Sequence, residues 1–360
     1  MVHRDRSTED GQIGDTLRIV AIGGGTGLST LLAGLKEHVD VEIGPPGHGL
    51  TAVVTVTDNG GSSGRLREEF KILPPGDIRN CMVALAEDEQ LLTRLFRYRF
   101  AGDGTLGGHS FGNLFLTALT DVTGDFLEAI RVSSEVLAIK GQIVPSTMQV
   151  VDLIAELSDG RTVHGEREIA TSGSRVRRIR LSRRDCRPLA ATLEAIATAD
   201  LIVLGPGSLF SSVIPNLLVP GIPEAITASP APALFVCNGM TQPGETDGFT
   251  VEDHLVALAE HAPGLRLDRV IVNTLPISEG LRRKYLAEGA IQVRLGFGDN
   301  ANIPILDERE VRLPGHGTRR TTLVGLDVID DREVVRHDAG KLARVVLDIA
   351  LAARRRLAVS

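Results

Sequence analysis

The run Arg18-Ile19-Val20-Ala21-Ile22-Gly23-Gly24-Gly25-Thr26-Gly27-Leu28-Ser29 carries an apolar strand straight into three glycines, a threonine and a further glycine, with a helix expected over residues 29–38. Glycine tolerates positive φ and lets a backbone approach a ligand closely. The following helix would aim its unpaired N–H groups and positive dipole end at the same place. The expected guest is a phosphate or diphosphate; a tight strand-to-helix turn with no ligand is the plainer alternative. Two familiar phosphate loops do not fit. Starting the pattern G-x-G-x-x-G at Gly23 puts Leu28 where the last glycine belongs, and the later Gly and Lys-Ser/Thr of a Walker loop are missing.

Outward from this strand, the β-branched run from Thr51 to Thr57 ends abruptly at Asp58-Asn59-Gly60-Gly61-Ser62-Ser63-Gly64. It reads as a second buried strand opening into a second glycine-rich loop. Strand signals then vanish, and helical periodicity over residues 77–86, 89–100, 113–122 and 126–138 predicts an inserted helical subdomain at about 74–140. Residues 149–157 and 162–166, around Ser158-Asp159-Gly160, read as a hairpin beside the main sheet. A helix over 189–198, strands over 201–204 and 233–236, a helix over 251–261 and a strand over 270–272 restore alternation. That order implies an α/β fold with a doubly wound, mostly parallel sheet whose ligands sit beyond the carboxyl ends of the strands. Gly205-Pro206-Gly207-Ser208, the run from Cys237 to Thr246, and Asn273-Thr274 follow three of these strands. With the two glycine loops they are expected to face one crevice. Residues 17–358 read as one domain behind a disordered tail at 1–16.

Composition excludes several classes. A net charge of −7 over 360 residues argues against general nucleic-acid binding, which needs a basic surface. No stretch is apolar long enough to span a bilayer and residues 1–16 hold no apolar leader, so no membrane insertion and a cytoplasmic location are expected. Cys81, Cys186 and Cys237 are scattered, offering neither a disulfide framework nor a zinc spacing. With 3% aromatic residues and no Trp, a ligand must be held by backbone and polar groups rather than stacking.

Within the loops, Asp58 and Asn59 suit ribose hydroxyls or a base, and Asp58 equally suits Mg²⁺; an Asx-turn is the alternative. Residues 74–80 read as a rigid turn in which Asp77 caps a helix. The run Gly107-Gly108-His109-Ser110-Phe111-Gly112-Asn113 places small residues, an imidazole and an amide before a helix. There His109 is weighed as a general base against a histidine hydrogen-bonded for structure.

Together, residues 23–27, 57–64, 74–79, 108–113, 205–208 and 238–246 resemble the gluconeogenesis factor (YvcK-like) family, which is related to the CofD 2-phospho-L-lactate transferases. The resemblance spans nearly the whole chain. It implies a Rossmann-like sheet with a helical subdomain, binding of UDP-sugars such as UDP-N-acetylglucosamine, and a role in cell shape and envelope precursor supply during gluconeogenic growth. It implies no established reaction and no required cofactor or metal. The expected ligand-binding residues are Gly24, Gly25, Thr26, Gly27, Asp58, Asn59, Ser62, Asn113, Gly207, Ser208, Asn238 and Arg336. In Val335-Arg336-His337-Asp338, Arg336 is the expected diphosphate partner, its alternative being a residue at the start of the last helix, where Asp338 can cap. A CofD-like transferase moving a phospholactyl group from a nucleoside diphosphate, with Mg²⁺ on Asp58, is the second reading. An NAD-binding protein is the third. The expected partners are a UDP-sugar and a metabolic enzyme, with no nucleic acid; a homo-oligomer is compatible with the sequence.

Overall fold

A strand made only of apolar residues and glycine needs cover on both faces. Ile19–Gly23 (β1) is such a strand, buried throughout in the computed structural model, which describes residues 17–45, 49–87, 91–296, 308–312 and 320–357. The tail expected at 1–16 lies outside the described residues. After α1 (Gly25–Leu35) and β2 (Leu50–Val54) the chain turns helical. This stretch comprises α2 (Gly61–Phe70), α3 (Gly76–Leu85), α4 (Leu91–Arg97), α5 (Phe111–Thr123) and α6 (Phe126–Val136). Ser110 Oγ and Asp125 Oδ1 accept backbone N–H groups at the starts of α5 and α6, as short polar side chains do there. The second glycine loop is shorter than its sequence suggests, because Gly61 already opens α2.

The chain continues through β3 (Gln142–Pro145), β4 (Leu153–Leu157), β5 (Thr162–His164), α7 (Glu166–Ala170) and β6 (Val176–Leu181). The expected hairpin forms as β4–β5, but within a separate three-stranded sheet ordered β5-β4-β6. Within this stretch the sequence reading names neither β3 nor β6. β3 has only four residues, and in β6 the exposed pair Arg177-Arg178 breaks the apolar alternation.

Next come α8 (Ala190–Thr198), β7 (Leu201–Leu204), a π-helical turn at Leu209–Val213, α9 (Ile214–Leu217), α10 (Ile222–Ala228) and β8 (Ala233–Val236). They lead to α11 (Val251–His261), β9 (Arg269–Asn273), α12 (Glu279–Ala287), β10 (Glu308–Arg312) and β11 (Arg320–Leu326). The short pair β12 (Ile329–Asp330) and β13 (Arg336–His337) precedes α13 (Ala339–Leu357), which packs against α1. Among the described residues no single helix is long and apolar enough to cross a membrane. The bent pair Leu209–Leu217 and Ile222–Ala228 matches only jointly, and its large apolar side chains belong to the core.

The main sheet is ordered β10-β11-β9-β8-β7-β1-β2-β3, parallel except for β10 at the edge, which runs antiparallel to β11. It is the doubly wound α/β sheet that the alternation implied. The chain builds from β1 to β2 and β3, then returns to the other flank of β1 with β7. Such a reversal opens a crevice at the carboxyl ends of the two strands. Pairing of Ile22 with Leu204 brings the loops after Gly23 and Leu204 to one level.

Candidate functional site

Gly24 is extended, and α1 starts at Gly25, whose φ of +63° favours glycine. The helix thus begins earlier than expected, with Thr26 and Gly27 in its first turn. These are poor helix formers by propensity, held there by packing. A Cβ on Gly27 would stand 2.5 Å from the Pro206 carbonyl oxygen and 2.8 Å from Gly207 N, so the loops after β1 and β7 meet backbone to backbone. At Gly25 the nearest atom to such a Cβ is Ser212 Oγ at 3.4 Å, and the demand there is conformational.

Asp77 does not cap its own helix. Pro75 holds the N-cap position of α3, and the Asp77 carboxyl lies instead beside the start of α1, where a Cβ on Gly24 would stand 2.6 Å from its Oδ2. The unpaired donors and dipole of that helix start favour any anion, including one supplied by the chain itself.

Beside these loops lies a cavity of about 820 Å³, within the range that encloses nucleotide-sized ligands. Gly24, Gly25, Thr26, Gly27, Gly207, Ser208, Asn238 and Arg336 all line it. Gln242 Nε2 donates to Ser208 Oγ at 2.7 Å and Asn238 Nδ2 to Gln242 Oε1 at 3.5 Å, a chain that orients the wall opposite α1. Tyr285 of α12 brings an aromatic ring to the lining, against the expectation from composition, and its hydroxyl accepts the Val335 N–H at 3.1 Å. Asn273 and Thr274 line an adjoining cavity of about 410 Å³ instead, because β7 and β8 separate their strand from β1.

The other four expected ligand residues, Asp58, Asn59, Ser62 and Asn113, lie outside this lining. Asn59 Oδ1 accepts the Arg167 N–H at 2.9 Å and its Nδ2 donates to Glu168 Oε2 at 3.2 Å, tying the second loop to the start of α7. Ser62 Oγ lies 2.9 Å from His109 Nδ1 and accepts Asn113 Nδ2 at 3.1 Å, a buried network joining α2 to α5. Burial, then the charge of Arg65, lowers the His109 pKa, and its bond to Ser62 holds the imidazole in that network. Asp58 Oδ1 accepts the Gly60 N–H at 2.8 Å, an Asx-turn. Arg336 sits on β13 rather than in a helix, its exposed Nη2 lying 3.5 Å from Asp330 Oδ2. Asp338 Oδ1 accepts the Lys341 N–H at 2.9 Å at the start of α13.

Carboxylates crowd one end of the site. Burial first, then the charge of Asp58, pushes Asp77 up to about 7. Burial, followed by Asp58, Asp77 and Glu245, pushes Glu166 up to about 8. Burial also lifts Glu245 to about 7, although its Oε1 accepts the Phe210 N–H at 3.1 Å. Glu166 and Glu245 line the cavity. Glu245 and Gln242 fall inside a run the sequence singled out, whereas Glu166 arrives from α7 by tertiary folding alone. Among the described residues no group of three or more His, Cys, Asp or Glu side chains is disposed to hold a metal ion.

A cavity lined by glycines, hydroxyls and amides, at the switch point of a doubly wound sheet, is the ligand-site arrangement of Rossmann-like α/β proteins. The family model described as 2-phospho-L-lactate transferase CofD matches residues 19–308, and the chain belongs to that family. It is similar to the gluconeogenesis factor of Bacillus subtilis (strain 168), 43% identical over 343 residues that cover 94% of this chain and 99% of the relative. The gluconeogenesis factor of Halalkalibacterium halodurans is 45% identical, with 92% and 95% covered. A crystal structure of a Bacillus halodurans protein superposes with a TM-score of 0.81 at 42% identity, covering 92% of this chain and 99% of that one.

Proposed function

We propose that the chain is a cytoplasmic UDP-sugar-binding regulator of the gluconeogenesis factor type, with UDP-N-acetylglucosamine as ligand. Ligand occupancy would tune envelope precursor supply and cell shape during gluconeogenic growth. The observation that carries this reading is the cavity between the β1 and β7 loops. The first turn of α1 supplies N–H donors for a diphosphate, and Ser208, Asn238 and Gln242 supply neutral polar groups for the rest. The names of the relatives support the physiological setting.

A ligand that binds only the folded state raises its stability. UDP-N-acetylglucosamine at a hundredfold excess over its Kd should add roughly 2.7 kcal/mol, seen as a melting shift with little dependence on Mg²⁺. Clear shifts with GDP or NAD and none with UDP-N-acetylglucosamine would overturn the reading.

The carboxylates favour a second reading, phospholactyl transfer. Asp58 and Asp77 approach each other closely enough to shift a pKa, and Mg²⁺ would relieve that crowding. Two carboxylates fit this ion only if water and phosphate oxygens complete its shell. In that case Asp58 and Asp77 would hold it and it would supply charge neutralisation at the diphosphate. Transfer to a deazaflavin that is lost in Asp58→Asn would establish this reading in place of the first.

A further inference from the structure

Charge is unevenly divided around the cavity. Glu166, Glu245 and Glu288 line it, and Arg336 is the one arginine or lysine among the described residues of the lining. None of the three carboxylates forms an ion pair among the described residues; Arg336 leans on Asp330 instead. Glu166 is half-buried, so its side chain stays open to a ligand while its backbone is fixed from outside the cavity. It opens α7, and Asn59 holds that helix start through the Arg167 N–H at 2.9 Å and Glu168 Oε2 at 3.2 Å. Glu245 arrives from the loop after β8 and is anchored by the Phe210 N–H on its Oε1 at 3.1 Å.

We propose that Glu166 and Glu245 receive the hexose of the nucleotide ligand through its hydroxyl and N–H donors, and exclude hexoses that carry a negative charge. The inference rests on the UDP-sugar reading above and names the class of sugar it admits. An ionised carboxylate is an acceptor only, so it matches hydroxyl and N–H donors with charge-assisted bonds. Against the oxygens of a phosphate or a uronate it offers like charge and no donor, which is discrimination by repulsion. The diphosphate therefore lies against the first turn of α1 and Arg336, and the hexose at the carboxylate end. Burial and the neighbouring Asp58, Asp77 and Glu245 already push Glu166 up to about 8, so a further negative charge there is costly. The lining adds Glu288 from α12 and, from β13, Arg336 and a His337 that burial keeps neutral.

Calorimetry at pH 8.5, where Glu166 is mostly ionised, tests this on the wild type, Glu166→Gln and Glu245→Gln. UDP-N-acetylglucosamine, UDP-glucuronate and UDP are the probes, and the melting temperature of each ligand-free variant reports on folding. The wild type should bind UDP-N-acetylglucosamine about tenfold or more tighter than UDP-glucuronate. Glu166→Gln should narrow that ratio several-fold, because an amide can donate to the uronate, while UDP, which has no hexose to seat, keeps its affinity. In the wild type the ratio should shrink as pH falls to 6.5 and the carboxyls take up protons. Equal wild-type affinities for the two nucleotide sugars at pH 8.5, or a folded Glu166→Gln with the wild-type ratio, would overturn the inference while leaving the ligand reading intact. If neither nucleotide sugar binds the wild type, both fall. Should Glu166→Gln misfold, Glu245→Gln and the pH dependence of the wild type decide: a ratio that neither changes overturns the inference.

Discussion

At Gly25 two demands coincide, a backbone with φ of +63° and a place in the cavity lining. A β-branched residue at positive φ costs on the order of 1–2 kcal/mol, and its methyls would project beside the cavity loops. Gly25→Val should therefore fold, melt a few degrees lower and lose UDP-N-acetylglucosamine binding by calorimetry. Undiminished binding would mean that the first loop serves only as a turn and would shift attention to Gly207 and Ser208. Among single residues, Asn59 shows where partners lie beyond the reach of local sequence: it reads as a ribose or base contact or part of an Asx-turn, and in the fold it bonds the start of α7, more than a hundred residues on. Nothing in a residue's own neighbourhood announces such a partner.

At the scale of elements, the β12–β13 ribbon brings both Arg336 and His337 to the cavity lining. Arg336 now lies near Asp330, but Arg332 already grips that carboxylate through Nε at 2.8 Å and Nη2 at 2.9 Å. Arg336 can therefore swing to a ligand without orphaning its partner. A charge-assisted bond to the diphosphate contributes about 1.5–3 kcal/mol, so Arg336→Ala should raise the Kd about tenfold or more at unchanged ligand-free stability. Arg336→Lys should recover only part, because an ammonium lacks the planar fork. Equal calorimetric affinities for wild type and Arg336→Ala would remove Arg336 from the site. Elements also set the limits of legibility. Strands of continuous β-branched or apolar residues, such as β1, β2, β7 and β8, were readable because burial on both faces leaves a compositional mark. Short β3, arginine-bearing β6 and the ribbon itself leave none.

For the whole molecule, the raised carboxyls make a pH prediction. Asp77, Glu166 and Glu245 titrate higher in the folded protein than in the unfolded chain, so the native state holds more protons between about 4 and 8. Stability contributed by these groups is full below their unfolded values and is lost as pH rises through 7 to 8. Depressed histidines, His337 among them, act oppositely below about 6.5, where the unfolded chain takes up protons first. The carboxyl effect is thus isolated above pH 6.5. The melting temperature should fall from pH 6.5 to 8.5, with a shallower slope in Asp77→Asn; parallel slopes would show that the cluster titrates elsewhere. By itself the sequence determined the α/β alternation, the doubly wound sheet and the glycine, amide and hydroxyl loops after its strands, because periodicity and turn chemistry are local properties written in consecutive residues. Only the tertiary structure decided which loops share a cavity and that α7 and α12 bring Glu166 and Tyr285 to its lining. Burial, crowding of charge and the satisfaction of each donor depend on chain segments brought together by folding.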